Sequence, residues 1–334
     1  MTTRQSVRFL PATWPTLLVA VTVALGIALP LNYSLELEYA ISLAVWAVAT
    51  NLLIGYGGLV SFGQGIFYGL GAYVMALDWV HHGLSFWEAL AAAPILGAVV
   101  AVGVGLVALR TRKLYFSLLT LAFSQLAYTL VLERYGFTEG NNGIFGRGMI
   151  PRWLQNPHAG FFFILALSLL SLLAMWWISQ SSFGYILQAV RDNRERAEAL
   201  GVNTFRHQLL AFAISGFFCA LAGTLLVVYN QSASPGLLLW TSSGIPIFMI
   251  VIGGMRRYLG PVLGAIVYEV AHRYLIQHTQ QWQLILGIVL LLIVLLRPEG
   301  LAGTFSGIFR RLASRQPDGA EVSTPTHATE RLSS

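Results

Sequence analysis

The feature that most constrains this chain is the length of its uncharged stretches. Phe9 to Leu35, Tyr39 to Leu77, Ala89 to Leu109, Leu114 to Leu132, Gln208 to Met255 and Tyr274 to Leu296 contain no Asp, Glu, Lys or Arg. About 20 apolar residues carry an α-helix across the hydrocarbon of a bilayer, where every backbone polar group must be bonded within the segment. Runs of this length predict an all-α integral membrane protein. Composition agrees, because only 10% of the 334 residues are charged, against roughly 25% in an average soluble domain.

Breaking the runs at charges and at Gly, Pro and Asn clusters gives about ten transmembrane helices. They lie near residues 14–31, 38–55, 59–77, 89–109, 115–132, 160–179, 208–229, 243–255, 259–277 and 281–296. The second and third are divided at Gly55, Tyr56, Gly57 and Gly58, since one helix through both would overshoot the bilayer. The eighth is short, with Pro246 in its first turn, and reads as a candidate half-helix. The first is expected to be an uncleaved span, because the run from Phe9 exceeds a usual signal core.

Lys and Arg favour the cytoplasmic side of short loops. With the N-terminus inside, the inner segments hold 16 of the 20 basic residues. Arg134, Arg147 and Arg152 fall in one outer loop, and Arg273 lies within the ninth span. The expected organisation is a cytoplasmic segment 1–13, a transmembrane domain 14–297 and a cytoplasmic, largely disordered tail 298–334. The inner loop at about 180–207 is the most charged stretch, and the outer loop at about 133–158 is rich in Gly and Asn. Both termini are predicted to be cytoplasmic.

Several function classes are disfavoured. The net charge of +6 comes from residues that punctuate apolar runs, so no nucleic-acid partner is expected. Cys219 is the single cysteine, which removes intrachain disulfides and cysteine-rich metal sites. Asp78, His81 and His82 have a metal-like spacing but stand at a span end beside Trp79 and Trp87, where an interfacial role is the better reading. The only lysine, Lys113, follows Arg112 and precedes Leu114, so no phosphate-binding G-x-x-x-x-G-K-[ST] loop exists. No catalytic residues, cofactor or metal are expected in this chain.

Polar residues at membrane depth are the remaining candidates, because they are costly there. Gln64, amid the small residues of the third span, points to a lined cavity, with Asn51 and Ser61 as companions on a possible translocation path. Glu269 and Arg273 are four apart on the ninth span and can meet on one helix face beside His272. A structural ion pair near the outer end is preferred here over transport chemistry.

Six blocks in order give a family resemblance: NLLIGYGGLVSFGQGIFYGLGAY from Asn51, YFSLLTLAFSQ from Tyr115, SFGYILQAVRDNRERAEALGVN from Ser182, AFAISGFFCALAG from Ala211, IGGMRRYLGPVLGA from Ile252 and LRPEGLAG from Leu296. Together they resemble the branched-chain amino acid permease family of ATP-binding-cassette importers, in its LivM-like branch. The resemblance implies the importer permease fold, placement in a bacterial inner membrane and transport of branched-chain amino acids or related small solutes. It also implies four partners besides lipid: a second LivH-like permease, two ATPase subunits carrying ATP and magnesium, and a periplasmic solute-binding protein.

By the same resemblance, a cytoplasmic helix spanning Gly184 to Gly201 docks on an ATPase, with Arg191, Glu195, Ala197, Glu198 and Gly201 in the coupling loop. It is expected to begin after a helix break at Gly184, with Ala197 and Glu198 facing water. Arg147 and Arg152 are expected to meet the binding protein. Leu114, Glu139, Ile245 and Arg256 depart from the family pattern and bear on the solute. The rival reading is an ion-coupled secondary transporter, for which Glu269 and His272 are the nearest coupling groups.

Overall fold

The computed structural model describes residues 31–81, 85–111, 113–146 and 150–296. The expected first span through residue 30, the segment 1–13, the tail 298–334 and Arg147 lie outside these described residues.

The described chain is predominantly helical. The long helices are α1 (Leu31–Asn51), α2 (Gln64–His81), α3 (Phe86–Ala108) and α4 (Lys113–Glu133). After a single-turn α5 (Tyr135–Thr138) come α6 (Pro157–Gln180), α7 (Ser182–Asp192), α8 (Arg194–Ala199), α9 (Thr204–Asn230), α10 (Gly244–Gly253), α11 (Gly260–His278) and α12 (Trp282–Leu296). Several helix starts are capped by side chains. Ser85 and Glu88 form a capping box on α3, the Ser85 amide donating to Glu88 Oε2 at 2.7 Å. Asn156 caps α6 ahead of Pro157, and the Asn203 side chain accepts from the Arg206 amide at 3.0 Å to open α9.

Among the described residues, five helical stretches are long and apolar enough to cross a membrane: Glu36–Tyr56, Phe86–Ala108, Leu114–Glu133, Pro157–Gln180 and Thr204–Asn230. The outward faces are apolar, with Val99 on α3, Leu118 and Leu126 on α4 and Leu170 on α6 exposed. Large apolar side chains displayed along several neighbouring helices fit a lipid surround.

α9 is the central post, buried along most of its length and packed on α1, α2 and α3. Its approach to α2 is backbone to backbone. A side chain on Gly71 would collide with the Ala220 carbonyl, and one on Gly223 with the Tyr68 carbonyl. Small residues permit this contact in lipid, where packing and not the hydrophobic effect holds helices together.

Two helices are interrupted inside the bundle. α1 runs through a π-helical turn, Leu52–Tyr56, into irregular backbone that includes Gly58 at φ +66°. α2 therefore starts at Gln64, later than the expected span start at 59. The irregular stretch is bonded internally: the Leu59 amide donates to the Leu53 carbonyl at 2.9 Å, and the Phe62 amide to Thr120 Oγ1 at 3.1 Å. The second interruption precedes α10. The chain leaves α9, folds back as a 3-10 turn at Pro235–Leu238, and enters a helix of only 10 residues. Such a helix is about 15 Å long, half of a bilayer core of roughly 30 Å, as a half-helix requires. Ser124 Oγ donates to the Leu238 carbonyl at 2.6 Å, and the Gly65 amide donates to Ser243 Oγ at 2.8 Å. The two interrupted helices thus begin side by side.

Candidate functional site

The charged segment after α6 departs from its expected form. Gly184 does not break a helix, because it lies buried within α7 against the Ser179 backbone, where a larger side chain would collide. The break falls at Asn193, whose extended backbone frees its side chain to accept the Arg196 amide at 2.9 Å and start α8. α8 ends through Gly201, at φ +83°, a left-handed conformation suited to glycine.

The residues of α8 divide into two sets. Arg194, Glu195, Arg196, Glu198 and Ala199 are exposed. Ala197 is instead buried at 4% exposure, which corrects its expected place in water; α8 itself packs on α7 and α9. Glu198 is exposed but engaged within the chain, accepting from Arg194 Nε at 2.8 Å and from Thr204 Oγ1 at 2.6 Å. Those donors hold its carboxyl below the usual glutamate range, the Arg194 bond contributing most. Sequence reasoning missed Leu200, a leucine 79% exposed at the tip of the segment. A leucine next to a predicted turn glycine was the available signal.

Arg191 has a different role from its exposed neighbours. Its guanidinium donates to the Gly55 carbonyl and pairs with Asp192 at 2.9 Å. It ties the end of α7 to the interruption after α1.

Asn51, Ser61 and Gln64 are each sealed in the interior, at 0–1% exposure. Gln64 Oε1 accepts from Ser215 Oγ and Cys219 Sγ, both at 3.1 Å, while Ser61 Oγ accepts the Gly63 amide at 3.2 Å. Gln64 Nε2 and Asn51 Oδ1 have no hydrogen-bond partner among the described residues.

Glu269 and Arg273 meet on α11, Arg273 Nε donating to Glu269 Oε1 at 2.8 Å. The guanidinium also reaches Glu36 Oε1 at 3.3 Å and Tyr229 Oη at 3.4 Å, so it ties α11 to α1 and α9. Four apart on one helix explains the first contact; only the tertiary fold supplies the others.

In the loop between α4 and α6, Arg134, Glu139 and Arg152 are exposed. The loop is not free-standing. Ile144–Phe145 pairs antiparallel with Ser232–Ala233, joining it to the connection that folds back after α9.

The family described as "Branched-chain amino acid transport system / permease component" matches residues 32–295. The chain is 28% identical over 283 residues to the high-affinity branched-chain amino acid transport system permease protein LivM of Escherichia coli (strain K12), covering 77% of this chain and 67% of that protein. It is 24% identical over 233 residues to the probable branched-chain amino acid transport permease protein LivM of Methanocaldococcus jannaschii, covering 64% and 67% of the two. A shorter stretch of 84 residues is 36% identical to the xylose transport system permease protein XylH of Escherichia coli (strain K12), covering 25% of this chain and 21% of that one.

Proposed function

The chain belongs to the permease component family of branched-chain amino acid transport systems, and on that footing we propose that it is the LivM-like membrane subunit of an ATP-binding-cassette importer. Its solutes are branched-chain amino acids or close relatives. It pairs with a LivH-like permease, two ATPases that bind ATP and magnesium, and a periplasmic binding protein. It crosses a bacterial inner membrane about ten times, with both termini in the cytoplasm and a transmembrane domain over 14–297.

The observation that carries this reading is the segment α7–α8, a short exposed helix fixed to the bundle and tipped by Leu200. Arg191 links it to the interruption after α1, so a push on the segment reaches an interrupted helix without a flexible intermediate. ATP supplies the energy through its differential affinity for the closed ATPase pair, as any population shift requires. Co-expression with the two ATPases, the second permease and the binding protein, followed by reconstitution, tests the whole assignment. ATP-dependent leucine uptake is expected, and uptake that persists without the ATPases would refute it.

Topology is tested separately. A cysteine placed after Arg315 should resist a membrane-impermeant reagent in intact spheroplasts and react after lysis. Labelling in intact cells overturns the cytoplasmic C-terminus.

The outer loop is the docking surface for the binding protein in this scheme. Arg152→Glu should lower binding-protein-stimulated ATPase activity several-fold at low salt, with a smaller effect as ionic strength rises and screens the contact. Equal stimulation of wild type and variant at every salt concentration would remove Arg152 from the docking surface.

A further inference from the structure

Two helices long and apolar enough to cross a membrane, α3 and α6, begin beside each other, the Phe86 ring lying 6.1 Å from that of Phe163. Rings from both starts meet a 3-10 turn, Arg152–Gln155. Trp87 stacks on Trp153 with ring centroids 6.2 Å apart, and Phe163 stands edge-on, 6.1 Å from Trp87 and 6.0 Å from Trp153. The group has an inner and an outer side. Ile150 and Leu154 are each 3% exposed and share a core cluster with Phe86 and Phe163. Trp87 and Trp153, by contrast, are 55% and 49% exposed. Leu154 already meets the turn's demand for core packing, so the two indoles are not spent on it. Two large adjoining rings left half open form a patch that calls for a partner.

Depth identifies that partner. Trp87 lies in the first turn of α3 and Trp153 just ahead of α6, so both stand where a membrane-crossing helix leaves the hydrocarbon. The opposite end of α6 agrees. Trp177, 64% exposed, stands about 30 Å along the helix from Pro157 at 1.5 Å per residue, the thickness of a bilayer's hydrocarbon core. Tyr115 and Tyr135, 65% and 59% exposed, bracket α4 in the same way. An indole is apolar over its body and carries one N–H donor. That combination suits the layer of ester and phosphate oxygens above the acyl chains better than water or hydrocarbon alone.

The geometry points to the pair Trp87 and Trp153, backed by Phe163, as an anchor seated in the phospholipid headgroup layer, fastening the turn Arg152–Gln155 to the membrane surface. The anchor requires only that α3 and α6 cross a bilayer, and it holds whether or not the chain works in an importer. Arg152, exposed beside Trp153, keeps the docking role given above; the anchor sets its height over the hydrocarbon.

The test is lipid quenching of tryptophan fluorescence, with the full chain in nanodiscs of phosphatidylcholine brominated either near the head or near the tail end of its acyl chains. Subtracting the double variant Trp87→Phe/Trp153→Phe from wild type isolates the emission of the pair, since phenylalanine keeps a ring in each place. That emission is expected to be quenched about twofold more strongly by head-proximal bromine than by tail-end bromine, as an interfacial depth requires, and to respond little to aqueous iodide. The single variants Trp87→Phe and Trp153→Phe supply the same subtraction if the double variant does not fold. Emission quenched by iodide and by neither brominated lipid would place the pair in water and overturn the anchor. Stronger quenching from the tail end would place the rings within the hydrocarbon and overturn it as well. So would loss of lipid quenching on addition of the periplasmic binding protein, because the rings would then belong to a protein contact.

Discussion

Leu200→Asp is expected to abolish co-purification with the ATPase subunits and ATP-driven uptake, while the permease inserts and folds at wild-type levels. Leu200 is the most exposed large apolar residue described, and it stands at the tip of a helix held by its own caps. Burying a leucine against a partner contributes about 1.5–3 kcal/mol, and a carboxylate in its place adds the desolvation of an unpaired charge. The two together exceed the free energy of a hundredfold change in affinity, about 2.8 kcal/mol. At 79% exposure Leu200 contributes little packing within the chain, so melting temperature in detergent should stay unchanged. Ala197→Trp forms the contrasting case. Because Ala197 is buried within the chain, a large ring there displaces α8 itself and reports on folding of the segment and not on docking. Wild-type ATPase association in Leu200→Asp would remove this surface from the ATPase interface.

Gly223→Val is expected to prevent accumulation of folded protein. The added side chain would meet the Tyr68 carbonyl, with the Ala72 amide nitrogen close behind. Both are backbone atoms of α2, so no rotamer change relieves the collision; the helices themselves must separate. Overpacking a filled core costs about 1–3 kcal/mol, and more when backbone must move. α9 also touches α1 and α3, so displacement at Gly223 spreads through the central post. Gly103, with open space around it, supplies the control: Gly103→Val should accumulate normally. Folded yield by size-exclusion chromatography compares the two, and equal yields would show that the α2 to α9 contact yields without cost.

Much of the molecule was legible because the bilayer imposes a simple rule. Uncharged runs of sufficient length become helices whatever their neighbours. The half-length of α10 followed from the few residues between Ser243 and Met255. The four-residue spacing of Glu269 and Arg273 brought them to one face by helix geometry alone.

Other features depend on contacts between residues far apart in the chain, which no local pattern encodes. The helix break in the charged segment after α6 moved from Gly184 to Asn193 because the Ser179 backbone needs the missing side chain at Gly184 within α7. Ala197 turned inward and Leu200 outward according to how α8 lies on α9, a rotation that periodicity over six residues is too short to fix. Gln64 is packed against Ser215 and Cys219, partners some 150 residues away. Arg273 reaches Glu36 and Tyr229 only because the fold brings α11 to α1 and α9. Sequence alone determined which segments must be helical in lipid, since burial of the backbone is a local demand; tertiary structure decided which polar atoms are satisfied, since that depends on what each helix finds beside it.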